Sequence, residues 1–181
     1  MQRRDPVIPR EAITRRVLLG VLGGAAVTVA CPAVAQRAWT TYRNERFGTT
    51  IDYPSDKFTP TDPPANADGR RFVAADGGTF TVSAINNVLH QRLAAIETAA
   101  VKSLGRSARI TYREHGPSWF VLSGTSGNTI FYHRHLLSHR REIINDFAIS
   151  YPAKLRSGYD PIVTRMARSF RAGVGNDTGP P

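Results

Sequence analysis

Residues 108–151 read ARITYREHGPSWFVLSGTSGNTIFYHRHLLSHRREIINDFAISY. Four runs within this stretch are rich in β-branched and aromatic residues: Ala108 to Arg113, Trp119 to Ser123, Thr129 to Leu137 and Glu142 to Tyr151. Gly116-Pro117, Gly124 to Asn128, and Ser138 to Arg140 separate them. Apolar and β-branched runs bounded by turn residues predict strands. Connections this short leave no room for a crossover helix, so consecutive strands are antiparallel neighbours.

Working outward, Phe47 to Tyr53 alternates apolar and polar, with Phe47, Thr49, Ile51 and Tyr53 on one face, and stops at Pro54-Ser55. That is the pattern of a half-buried strand. Arg71 to Ala75 and Thr79 to Ala84 flank Asp76-Gly77-Gly78, which predicts a hairpin. Phe58 to Gly69 carries Pro60, Pro63 and Pro64 and reads as a loop, and Gln36 to Arg43 as a lead-in segment.

Two helices complete the pattern. Asn86-Asn87 provides a cap, and Leu89, Leu93, Ile96, Ala100 and Leu104 form one apolar stripe ending at Gly105. Asp160 is placed to cap a final helix, with Pro161 at its first position and Ile162, Val163, Met166 and Phe170 on its inner face. The order of strands and helices predicts a single α+β domain over residues 36–171. Its antiparallel sheet has about six or seven strands, with two main helices packed against it. The Gly-rich tail of residues 172–181 is expected to be disordered.

Residues 1–35 read differently. Arg3, Arg4, Arg10, Arg15 and Arg16 precede an apolar run from Val17 to Ala30, and Ala33-Val34-Ala35 stands before Gln36. Charge, apolar core and small-x-small site make a signal peptide, and Thr14-Arg15-Arg16-Val17-Leu18-Leu19 resembles the twin-arginine export pattern. The run falls short of the roughly 20 residues of a membrane span. Arg15, Arg16, Ala33 and Ala35 are therefore the expected signal-processing residues. Membrane contact is expected only through this leader before cleavage. Cys31 also follows a small residue, as a lipid-bearing Cys would, but Thr28 stands where Leu is usual in that motif. The expected location is periplasmic or extracellular in a Gram-negative bacterium.

Cys31 is the one cysteine, so a chain matured at Gln36 has no disulfide, thiol nucleophile or thiolate metal site. The formal net charge is +10. The leader accounts for +3 of it, and the remaining arginines are scattered, with Arg70-Arg71 and Arg140-Arg141 as the only pairs after residue 36. Proteins that track phosphates gather their charge on one face, so nucleic acid is not an expected partner.

Few residues offer chemistry. His133 and His135, two apart on a strand, share a face and with His139 at the following turn are candidate metal ligands. Glu142 across the hairpin is the conceivable carboxylate. Two imidazoles alone lack a third ligand, and the plainer reading is a solvated strand face with Tyr132 and Leu136 on the buried side. Ser123-Gly124-Thr125-Ser126-Gly127 lacks the strand-to-helix context of a nucleophile elbow. Asp52, Asp56, Asp62 and Asp68 lack calcium-loop spacing. Trp119, Phe131, Tyr132 and Tyr151 line either a ligand pocket or plain core. No catalytic residue and no cofactor is assigned.

Several of these segments carry a family likeness. Phe47-Gly48-x-x-Ile51-x-Tyr53-Pro54 followed by Phe58, Ile149-Ser150-Tyr151-Pro152, and Tyr159-Asp160-Pro161 leading to Arg168-Ser169-Phe170 resemble the PsbP/DcrB-like superfamily. Asp68-Gly69-x-x-Phe72 with Asp76-Gly77 is similar, more narrowly, to uncharacterised exported alphaproteobacterial domains. The resemblance spans about residues 42–171 and implies a fold and an accessory role without a shared active site. The functional expectation is an exported, non-enzymatic accessory or binding protein acting on a protein partner or small ligand at the cell envelope. One alternative is an envelope enzyme, metal-dependent through His133/His135 or a hydrolase. The other is a cationic protein that binds anionic lipid or glycan.

The leader can be checked directly. Intact-mass spectrometry of the envelope fraction is expected to find a chain beginning at Gln36. Replacing Arg15 and Arg16 together by lysine is expected to leave the uncut chain in the cytoplasm, and unchanged maturation of that variant would assign export to the general route.

Overall fold

The computed structural model describes residues 37–173, so Arg15, Arg16, Cys31, Ala33, Ala35 and most of the tail lie outside the described residues. Nine strands and two helices follow in chain order. The strands of the first half are β1 (Trp39–Arg43), β2 (Thr50–Pro54), β3 (Thr59–Pro60), β4 (Gly69–Val73) and β5 (Thr79–Asn86). Helix α1 (Leu93–Ser103) leads to β6 (Ala108–His115), β7 (Trp119–Ser126), β8 (Thr129–Ser138) and β9 (Ile143–Pro152), and α2 (Arg156–Ser169) is the last element of the described residues. The main sheet is antiparallel in the order β3-β4-β5-β9-β8-β7-β6, and β1 and β2 pair separately.

The four predicted second-half strands are present and pair in sequence. Asn128, expected in a loop beginning at Gly124, is in fact half of a two-residue turn, Gly127-Asn128, because β7 runs on to Ser126. Gly127 at φ 56° takes the first position of that tight turn, where a side chain is disfavoured. The lead-in segment also departs from expectation. Residues from Trp39 form a strand because each pairs with β2, from Trp39–Pro54 to Arg43–Thr50. The Pro-rich loop contributes β3, two residues against Phe72 and Val73 of β4.

The core lies mainly on one side of the sheet. There α2 and the β1–β2 hairpin cover Phe72, Phe80, Val82, Phe147 and Ile149, and contribute Ile51, Tyr159, Ile162, Met166 and Phe170. Each such side chain contributes about 1.5–3 kcal/mol by leaving water, so this layer dominates stability. Helix α1 packs on the other side through Ile96 against Phe120, Leu122, Phe131, Leu137 and Ile144. Beyond β6 to β8, β9 adds only Ile144 to this layer. The predicted stripe is shorter than expected at its start, because α1 begins at Leu93 and leaves Leu89 76 % exposed in the preceding loop.

Helix α2 differs from expectation too. It starts at Arg156, a turn earlier than predicted, and so carries Pro161 inside it. Asp160 is not its cap; its carboxylate accepts from Tyr151 Oη at 3.3 Å and pairs with Arg156 at 3.5 Å. Proline removes one helix hydrogen bond, and tertiary anchoring compensates. Tyr159 Oη donates to Asp76 Oδ1 at 2.6 Å, while Asp76 also accepts from Gly78 N at 3.1 Å and pairs with Lys57. A Cβ on Gly78 would lie 1.8 Å from Tyr159 Oη, which is why the turn needs glycine there.

Both sheet edges are blunted. Pro60 sits in the short β3, and β6 carries a bulge between Ile110 and Tyr112 with Arg109, Arg113 and Glu114 along it. Among the described residues, no helix is long and apolar enough to cross a membrane.

The Tyr159–Asp76 contact makes a stability prediction. Burial alone would raise the Asp76 carboxyl, but hydrogen bonds from Lys57, Tyr159 and Gly78 outweigh it and hold it below its ordinary value of 3.8. A depressed carboxyl stabilises above its unfolded value, and that contribution is lost as pH falls through the folded one. Tyr159→Phe is expected to cost about 1.5–3 kcal/mol in urea unfolding at neutral pH. The gap between variant and parent is expected to narrow as pH falls from 3.8 through the lower value at which the folded Asp76 is neutralised.

Candidate functional site

A groove of about 500 Å³ opens between α2 and the β7–β8 half of the sheet. It exists because α2 crosses β9 and β8 but stops short of β7. Alternation along β8 sends Ile130, Tyr132, Arg134 and Leu136 to the α2 side. Ile130, Tyr132 and Tyr151 form the floor; Val163 and Ala167 form the wall; Ser123, Arg156, Asp160, Thr164 and Arg168 stand at the rim. Arg134 fixes the helix beside the groove: its Nη1 donates to Ala167 O at 2.6 Å, and its guanidinium lies 5.6 Å from the Trp119 ring. A cation at the last turn of a helix is favoured by the helix dipole.

The phenols of this groove stay protonated. Burial, followed by the Asp160 carboxylate, pushes Tyr151 up to about 12, and burial also raises Tyr132. Tyr151 stacks on Tyr159 with ring centres 4.3 Å apart. Ser123 Oγ donates to Phe131 O at 2.8 Å within the β7–β8 hairpin, so it is not paired with a base. The groove can hold an apolar group on its floor and a charged or polar one at its rim.

The predicted pair His133 and His135 does share a face, the one toward α1, with ring centres 6.5 Å apart. That face is not the solvated one expected. His135 stacks on Phe120 at 4.4 Å, and His133 meets Phe131 edge-on at 5.5 Å. The carboxylate beside them is Asp146, opposite His135 in the β8–β9 ladder, whereas Glu142 is exposed at the turn. His135 Nδ1 touches Asp146 Oδ1 without hydrogen-bond alignment. His139 points elsewhere, its Nε2 3.2 Å from Gly173 O. Among the described residues, no three His, Cys, Asp or Glu side chains converge as metal ligands would.

Burial, followed by the neighbouring His135, lowers His133 to about 4, with Asp146 pulling partly the other way. The other predicted clusters separate. Asp52 lies by Thr41, Asp56 by Arg37, and Asp68 by Asn66. Ser126 pairs with Ser107 at 2.9 Å. Of the four aromatic residues, Tyr132 and Tyr151 meet in the groove, while Phe131 faces α1. Val163, Thr164, Ala167 and Arg168 were missed as groove residues; their spacing of one, three and one along α2 is the signal that places them on one side.

No family model matches the chain. No curated protein matches it either. Solved structures do. The solution structure of cyanobacterial PsbP (CyanoP) from Synechocystis superposes with a TM-score of 0.55 at 15 % identity, covering 79 % of this chain and 97 % of that one. The Ran-binding protein Mog1p of Saccharomyces cerevisiae gives a TM-score of 0.55 at 11 % identity, covering 75 % and 96 %. The fold is therefore PsbP/DcrB-like, as the sequence resemblance implied.

The lowered His133 sets a pH window. A histidine that stays neutral when folded loses stability as the unfolded chain takes up the proton, from pH 6.5 downward to about 4. Stability is expected to fall across that window. His133→Phe is expected to flatten the slope there, measured as urea midpoints at stepped pH.

Proposed function

We propose that this PsbP-like domain is an exported, non-enzymatic binding protein that takes a segment of a partner protein in the groove between α2 and the β7–β8 face. The groove carries the reading. An apolar floor with a few polar groups at its rim fits recognition, and the groove's serine spends its hydroxyl on a hairpin carbonyl rather than pairing with a base. Arg156 is already paired with Asp160, so Arg168 is the rim cation that favours a partner segment with an apolar residue next to an acidic one. The blunted edges of the sheet argue against recognition by strand addition, so the partner is expected to enter side chain first.

The leader supports a place at the cell envelope. Mog1p is described as Ran-binding, an instance of this fold recognising a protein, though fold alone does not transfer a partner.

A photo-crosslinking residue placed at Thr164, exposed on the rim, tests the reading in the living cell. The expected outcome is one discrete adduct at Thr164, none from the same residue at Thr98 on the far helix, and at least tenfold less in Arg168→Glu. Equal labelling at both positions, or no effect of Arg168→Glu, would overturn it.

A further inference from the structure

The loop joining β5 to α1 presents Val88 and Leu89 side by side, each 76 % exposed, the two most exposed large apolar side chains of the described residues. Ile85, 43 % exposed, stands just before them at the end of β5. Large apolar side chains exposed together rather than singly mark a contact surface. This loop is not slack. Buried Asn87 holds it at both ends: its Oδ1 accepts from Gln91 N at 2.9 Å, and its Nδ2 donates to Gln91 O and Arg141 O at 3.0 and 2.9 Å. Its backbone N donates to Glu142 O at 2.7 Å, so the loop is built onto the β8–β9 turn.

That turn is unusual in its own right. His139, Arg140 and Arg141 take φ of 47°, 53° and 78°, three consecutive left-handed residues with no glycine among them, and His90 in the neighbouring loop takes 48°. Such backbone costs free energy and persists only where surrounding contacts impose it, commonly at functional sites. Here it turns Arg140 and Arg141 outward beside the apolar tip, with Arg92 at the start of α1. None of these three arginines is ion-paired with a described residue, and Glu142 is the only carboxylate in the turn.

We propose that this tip docks the folded domain on an anionic phospholipid surface, with Val88 and Leu89 entering the interfacial layer and Arg92, Arg140 and Arg141 taking the headgroups. The tip offers two adjacent aliphatic side chains, Val88 and Leu89, with Ile85 before them. So few apolar groups give little area to a protein partner, yet suit shallow insertion between lipids. Its unpaired cations complement a negative lipid surface, and the chain's excess positive charge steers approach. The contact is additional to the one expected through the leader, and it uses none of the groove residues, so either proposal can fail without the other.

The test uses the full chain with Leu89→Trp and vesicles of phosphatidylcholine containing phosphatidylglycerol, part of the lipid brominated on its acyl chains. Local quenching at position 89 is read against Thr98→Trp, so a vesicle bound only through the leader is distinguished from an inserted tip. The expected result is strong quenching of Leu89→Trp on the anionic vesicles and at least tenfold weaker partition on phosphatidylcholine alone. A similar loss is expected when Arg140→Gln and Arg141→Gln are added. Quenching no greater than that of Thr98→Trp, as a tip built for an acidic protein would give, overturns the proposal. So does quenching indifferent to lipid charge. Unchanged urea midpoints of the variants confirm that each is folded.

Discussion

The hydroxyl of Tyr159 reaching Asp76 decides where α2 can lie, and through α2 the shape of the groove. The carboxylate gathers three partners from distant parts of the chain: the Lys57 ammonium from the segment after β2, the Gly78 amide of the β4–β5 turn, and the helix's own tyrosine. Lys57 also sits 4.4 Å from the centre of the Tyr159 ring, so charge, ring and hydroxyl converge on one point. A helix interrupted by Pro161 would be a poor helix alone. It is held because its start is tied at Asp76, its last turn at Arg134, and its end at Asp52, whose amide donates to Ser169 Oγ at 2.9 Å. Held at these points, α2 lies over β9 and β8, and the uncovered strip toward β7 becomes the groove.

Burial governs the titratable groups on both faces of the sheet. In the groove, burial keeps the phenols protonated, and the nearest serine spends its hydroxyl on a hairpin carbonyl. On the other face, His133 is kept neutral by burial among aromatic rings, beside a histidine that touches Asp146 without hydrogen-bond alignment. These histidines belong to the packing under α1, and their chief consequence is the pH dependence of stability. The likeness to CyanoP and to Mog1p, at 15 % and 11 % identity, is a likeness of fold, and function rests on the surfaces this chain builds on it.

Much of the architecture was legible from local pattern. Turn residues between β6 and β9 impose antiparallel neighbours, and a two-residue period separates Phe131 from Tyr132 whatever the surroundings. Four features escaped that logic, each for a physical reason. The strand at Trp39–Arg43 has no apolar alternation of its own and exists through pairing with β2. Helix α2 begins before its proline because distant contacts outweigh a lost hydrogen bond. Leu89 fits the helical stripe, but Asn87 closes the loop first. Asp146 could be placed opposite His135 only once the left-handed turn at residues 139–141 had set the register, since a shorter hairpin loop slides the ladder by two.

The sequence by itself determined the α+β class and the antiparallel succession of β6 to β9, which follow from periodicity and turn chemistry acting over a few residues. Its turns and core aromatics also carry the PsbP/DcrB-like resemblance. Only the tertiary structure decided which half of each sheet face stays uncovered, that Tyr132 and Tyr151 share a groove with α2, and that Val88, Leu89 and the arginine pair stand at one tip. Those facts depend on how far a helix reaches across a sheet and on which loops pack together. Contacts between residues distant in the chain set both, and no local pattern encodes them.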